Sequence, residues 1–115
     1  MFGEPKPMWV RQRISDGRWD TVINCAAWTD VDGAEEHEDD ATELNGHVVG
    51  KLANACSSSG TMLVHYSTDY VFDGTATEPY RTDHPRSPVN AYGRSKAVGE
   101  ELIESSGVEH LLVRS

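Results

Sequence analysis

Tyr92 and Lys96 stand four residues apart in the run Ser87-Pro88-Val89-Asn90-Ala91-Tyr92-Gly93-Arg94-Ser95-Lys96. On a helix, both side chains leave the same face, one turn from each other. A free phenol loses its proton near pH ~10. A fixed ammonium beside it favours the phenolate and draws that value toward the working range of a general acid or base. Tyr-x-x-x-Lys alone is a weak motif; the competing reading is a half-buried aromatic with a solvated lysine one turn on. Ser87 can cap such a helix and Pro88 suits its first position, so the run predicts a helix beginning there.

Two further groups could work with this pair. Asn24-Cys25-Ala26-Ala27-Trp28-Thr29 closes the apolar run Thr21–Ala27, and Ser67-Thr68-Asp69 closes the run Thr61–Ser67. Short, nearly continuous runs of this kind suggest strands covered on both faces in a parallel sheet. Open parallel sheets bind ligands outside the carboxyl ends of their strands. Small residues at the first end let a flat ligand approach the backbone. A lone Ser-Thr-Asp is more often turn chemistry. Beside Tyr92 and Lys96 it becomes a polar cluster around a carbonyl: a hydroxyl holds the oxygen, the tyrosine supplies a proton, and the lysine tunes the tyrosine and can bond a ribose.

The elements that must position these groups follow from the hydrophobic pattern. Met1–Pro7 reads as an irregular lead-in. Met8–Ser15 reads as a short helix with Met8, Val10 (or Trp9) and Ile14 inward, Arg11 and Arg13 outward, and Gly17 at its end. After a loop from Trp28 to Gly33, a long helix is predicted from Ala34 to about Ser58. In it Ala41, Leu44, Val48, Leu52, Ala55 and Cys56 fall at spacings of three and four, and Gly60 stops it. Its Gly46-x-x-x-Gly50 suits a close pass over something flat, such as the sheet. Val98, Leu102 and Ile103 mark the buried side of the Tyr92 helix, Gly107 ends it, and His110–Arg114 is a third strand. Strand, helix, strand, helix, strand predicts a parallel α/β sheet, with no domain boundary inside residues 1–115.

Composition excludes several classes. The net charge is −9, with eight carboxylates between Asp30 and Glu43, and there is no basic stripe. Nucleic acid and anionic membrane surfaces are therefore not expected partners, and the acidic run reads as a solvated helix face. No apolar run approaches the ~18 residues of a membrane span. No leader opens the chain, so a cytoplasmic protein is expected. Cys25 and Cys56 read as small core residues rather than a disulfide or zinc set. The histidines at 37, 47, 65, 84 and 110 lack metal-ligand spacing, so no metal is expected.

Four segments occur together in one family, in this order and spacing. They are Val22-Ile23-Asn24-Cys25-Ala26-Ala27-Trp28-Thr29-Asp30-Val31-Asp32, His65-Tyr66-Ser67-Thr68-Asp69-Tyr70-Val71-Phe72-Asp73-Gly74, Asn90-Ala91-Tyr92-Gly93-Arg94-Ser95-Lys96 and Leu112-Val113-Arg114-Ser115. From about residue 17 onward the chain resembles the dTDP-4-dehydrorhamnose reductase family of extended short-chain dehydrogenases/reductases. The resemblance implies reduction of the C4 keto group of a dTDP-4-keto sugar, with hydride from NADPH or NADH. It implies Tyr92 as proton donor, Lys96 on the nicotinamide ribose, Thr68 as the carbonyl-orienting hydroxyl and Asp69 beside it on the sugar nucleotide. Ala27, Trp28 and Thr29 would lie along the cofactor, Tyr66 would be another contact, and Ala26 and Asn45 minor ones. Two other readings share these residues: a non-catalytic relative like the regulatory β subunit of methionine adenosyltransferase, and another nucleotide-sugar epimerase or dehydratase.

The family's fold opens with a strand, a Gly-rich turn and a helix whose N-terminus holds the pyrophosphate. None of the ten glycines here falls in such a pattern. The expected fold is therefore a partial Rossmann-like parallel sheet with flanking helices. It lacks the Gly-rich βαβ start and the lobe that grips the sugar nucleotide, so that about the middle third of a typical member is present. Open sheet edges would allow a homodimer.

Overall fold

The structure, a computed structural model, describes residues 6–115, with the side chains of residues 6–9 and 11 left out. Helix α1 (Lys6–Gly17) leads into strand β1 (Thr21–Asn24). Helices α2 (Val31–Glu36) and α3 (Glu38–Thr42) run through a π turn (Glu43–His47) into α4 (Val48–Ser59). Strand β2 (Met62–Ser67) is followed by a 3-10 turn (Asp69–Val71), a long loop, helix α5 (Ala91–Ser106) and strand β3 (His110–Arg114). The strands form one parallel sheet in the order β1-β2-β3, with Thr21 opposite Met62 and Leu63 opposite His110. The expected α/β sheet is present. The helix expected at Met8–Ser15 begins earlier, at Lys6, inside the stretch read as irregular lead-in. Residues 1–5 of that stretch, and the orientations of Met8, Trp9 and Arg11, lie outside the described residues.

The core forms on one face of the sheet. Ile14 of α1, Val49, Ala53 and Cys56 of α4, Leu63 of β2 and Ile103 of α5 are buried together, with Val10, Val22, Leu52 and Leu112 packed against them. The other face is open: Ile23 is 60% exposed, Tyr66 47% and Leu111 51%. The expectation that the strands are covered on both faces therefore fails for the described residues. β1 also stops at Asn24 instead of Ala27. The Asn24 side chain accepts a hydrogen bond from Ala26 N at 3.2 Å, a local turn that competes with the ladder. Cys25 is consequently exposed rather than in the core, whereas Cys56 is buried.

The long helix expected from Ala34 is broken. It starts at Val31, because the Asp30 side chain caps it by accepting from Gly33 N at 3.0 Å. His37, at φ −133°, interrupts it, and the π turn follows. Gly46 and Gly50 do not face the sheet. A Cβ at either would come 2.8 Å from Val98 or Leu102, so these glycines let the chain pack closely on α5. Gly60 (φ 68°) and Gly107 (φ 78°) end α4 and α5 as expected. Helix α5 begins three residues later than Ser87 and Pro88 suggest. Ser87 N is spent on Val71 O at 2.8 Å, and Asn90 is the cap, accepting from Gly93 N at 2.7 Å.

Candidate active site

Helix α5 delivers Tyr92 and Lys96 from one face, toward the carboxyl end of β2. Lys96 is 2% exposed, which removes the solvated-lysine reading. Its Nζ donates to the Tyr66 carbonyl at 2.8 Å. Thr68 follows β2 directly and is buried. Its hydroxyl accepts from Tyr70 N at 3.2 Å, capping the 3-10 turn, and it lies close enough to the Tyr92 hydroxyl to favour the phenolate. Gly93 makes this juxtaposition possible, because a Cβ there would lie 2.3 Å from the Tyr70 carbonyl oxygen. The Tyr70 ring meets Tyr92 edge-on, with centroids 5.8 Å apart. Thr68, Tyr92, Lys96 and the Tyr66 carbonyl thus form one constellation.

The electrostatics differ from the expectation in one respect. Burial raises the Tyr92 pKa above the ordinary phenol value, against the opposing hydrogen bond from Thr68. The lowering expected from Lys96 does not arise, because that ammonium is turned onto the Tyr66 carbonyl. Tyr92 is consequently a protonated donor at neutral pH. Burial lowers the Lys96 pKa, opposed by the charge of Glu100 one turn on.

Glu100 is not among the residues expected at the site, and it organises the layer beneath. It is fully buried. It accepts from Arg86 Nε at 2.7 Å and from Arg114 Nη2 and Nε at 2.6 and 2.9 Å. Burial pushes its pKa up, but the hydrogen bonds and the Arg114 charge outweigh that, so it lies below the usual carboxylate value. Arg114 also donates to Thr82 O at 3.1 Å and sits 5.0 Å over the Phe72 ring. Helix α5 is thereby tied to the end of β3 and to the loop between Phe72 and Asn90. Two acids of the run between Asp30 and Glu43 also depart from a purely solvated role. Glu35 accepts from Ala91 N at the start of α5, and Glu38 pairs with Arg94 at 2.7 and 2.9 Å.

The segment past β1 is also fixed. Trp28 N donates to Asn45 Oδ1 at 2.8 Å, and Asn45 Nδ2 donates to Trp28 O and to Ser95 Oγ, both at 3.0 Å. Trp28 and Tyr92 pack against the same small cluster, Ala34, Ala41 and Ala91. Ala26 and Thr29 are exposed and Ala27 is half-buried. Asp69 is exposed, its backbone N bonded to Ser115 O, and no side-chain contact brings it to Tyr92. The Tyr66 ring projects on the open sheet face, so its carbonyl, not its ring, belongs to the cluster. The residues present fit the nicotinamide-ribose half of a dinucleotide. An ammonium carries three donors and one is used on Tyr66, the Tyr92 hydroxyl is adjacent, and the rim at Cys25, Ala26 and Ala27 carries only small side chains.

A parallel α/β sheet flanked by helices, with polar groups gathered at its carboxyl edge, defines a Rossmann-like scaffold. The sequence model of the RmlD substrate binding domain matches residues 5–115, and the chain belongs to that family. It is 44% identical over 110 residues to a dTDP-4-dehydrorhamnose reductase of Burkholderia thailandensis, covering 96% of this chain and 37% of that protein. The structure of dTDP-4-dehydrorhamnose reductase from Bacillus anthracis, solved in complex with NADP, superposes with a TM-score of 0.90 at 37% identity, over 94% of this chain and 38% of that one. The Clostridium acetobutylicum reductase gives a TM-score of 0.88 at 38% identity, over 93% and 38%. The chain thus spans a little over a third of the length of these relatives. Among the described residues no helix is long and apolar enough to cross a membrane.

Proposed function

We propose that this chain carries the proton-donating centre of a nucleotide-sugar ketone reductase, acting on the C4 carbonyl of dTDP-4-dehydro-L-rhamnose to give dTDP-L-rhamnose. The observation that carries the reading is the buried Lys96 on the Tyr66 carbonyl, one helical turn from Tyr92 and beside the buried Thr68 at the carboxyl end of β2. NADPH, or NADH in its place, supplies the hydride to C4 when bound. Thr68 holds the carbonyl oxygen by a hydrogen bond. As the C4–H bond forms and the C=O π bond opens, the Tyr92 O–H breaks and its proton goes to O4. Lys96, turned onto the Tyr66 carbonyl, offers its remaining donors to the ribose. The raised Tyr92 pKa suits this direction, because the reduction consumes a proton and the phenol must arrive protonated. Ala26, Ala27, Trp28 and Thr29 line the cofactor, and Asp69 contacts the sugar nucleotide.

The test is calorimetric NADPH binding to the chain, followed by NADPH oxidation with the keto sugar, for the wild type and Tyr92→Phe. Binding in both and turnover only in the wild type is the expected result. A folded chain that binds no NADPH, or a Tyr92→Phe variant that turns over at the wild-type rate, overturns the reading.

A further inference from the structure

His65 occupies the helix-covered face of β2 at 1% exposure, where an aliphatic side chain would bury without polar cost. Its Nε2 has no hydrogen-bond partner among the described residues, an expensive arrangement for a buried donor. Its Nδ1 is engaged. Asn24 stands opposite it in the sheet register, and Asn24 Nδ2 lies 3.1 Å from His65 Nδ1. Asn24 Oδ1 accepts from Ala26 N, so its amide nitrogen is the group facing the ring. His65 Nδ1 must then be the acceptor, and the ring proton resides on Nε2. An imidazolium would set two donors against each other. Burial and the nearby Lys96 charge, against the pull of Glu100, hold the ring pKa down to about 4, so the ring is neutral.

We propose that His65 is a positioning residue. Its Nδ1 lone pair fixes the Asn24 amide, and Asn24 in turn fixes the turn at Ala26 that carries Ala26, Ala27 and Trp28 past the end of β1. The inference rests on the reading of that segment as the cofactor wall, and it gives the segment a second anchor beside Asn45. One anchor holds Trp28 from the π turn, and the other holds Ala26 from the neighbouring strand.

The tests use the full chain. Nitrogen-15 shifts of His65 at neutral pH are expected to show an unprotonated Nδ1 and a protonated Nε2, with no variant needed. In His65→Leu, amide exchange at Ala26 rises about fivefold, the factor a neutral hydrogen bond is worth, while Leu63 in the core of β2 is unchanged. His65→Asn, which returns an acceptor oxygen near the place of Nδ1, restores slow exchange. NADPH affinity falls in His65→Leu and recovers in His65→Asn. A proton on Nδ1, or unchanged Ala26 exchange in His65→Leu, overturns the proposal. If the tautomer and exchange behave as stated while no variant binds NADPH, the positioning stands and the reductase reading fails.

Discussion

Replacing Glu100 by glutamine removes the carboxylate that Arg86 and Arg114 share beneath the candidate site. Three charge-assisted hydrogen bonds of 2.6–2.9 Å converge on a side chain with no exposed surface, and the arginines are only 20% and 16% exposed. The amide keeps one acceptor but turns an NH2 toward two guanidinium groups. Breaking a buried pair by removing one partner costs about 3–5 kcal/mol, because the remaining charge loses its compensation. Both arginines retain some access to water, which places the expected cost near the lower end, about 3 kcal/mol. That is a large share of the ~5–15 kcal/mol that holds a domain of this size.

Urea unfolding reads it directly. With a slope of about 1–3 kcal/mol/M, the midpoint falls by roughly 1–3 M. A double variant, Glu100→Gln with Arg114→Met, costs less than the sum of the two single changes, because the second removes a charge the first has stranded. A Glu100→Gln cost under ~1 kcal/mol, or strict additivity, refutes the buried-pair reasoning. The pH dependence carries the same signature. The folded pKa of Glu100 lies below its unfolded value, so this stability is fully present above the unfolded value of about 4.3 and is lost as pH falls through the lower folded one. Glu100→Gln flattens that acid limb.

Four other changes test separate parts of the structure. Tyr92→Phe costs about 10²–10⁴ in any turnover; equal rates would remove Tyr92 from the chemistry. Gly93→Ala forces a Cβ against the Tyr70 carbonyl and destabilises by ~1–3 kcal/mol in a thermal melt, whereas a neutral result would mean the 3-10 turn does not sit on α5 as described. A thiol reagent labels Cys25 quickly and Cys56 only on unfolding, since Cys56 is buried and its thiol pushed up by that burial; equal rates contradict the core assignment. The open sheet face at Ile23, Tyr66 and Leu111 binds a hydrophobic dye, and Leu111→Lys lowers the signal without lowering the urea midpoint, unless that face is covered in solution.

What was legible in the sequence, and what was not, follows from how local each signal is. The glycine stops at 60 and 107 and the apolar strands are written in single residues or short runs, and they appear where expected. Helix α5 starts after the locally good helix openers Ser87 and Pro88, because Ser87 N is taken by Val71 in a contact the linear pattern does not carry. Strand β1 ends before its apolar run does, because the Asn24 side chain bonds Ala26 N, a contact that an asparagine in an apolar run does not announce. Lys96, Glu100 and Ile103 fall at spacings of four and three on one buried stripe of α5. A carboxylate in line with an apolar residue and the motif lysine was therefore a visible signal for a buried charge. Its partners, Arg86 and Arg114, come from a loop and a strand end, and only the fold brings them together. The candidate site and its support thus share one helix face: Tyr92 and Lys96 at its amino end stand at the carboxyl end of β2, and Glu100, a turn further on, ties that face to the sheet. Shifting the register of α5 by one residue would lose the Tyr92–Lys96 pair and the ionic anchor together.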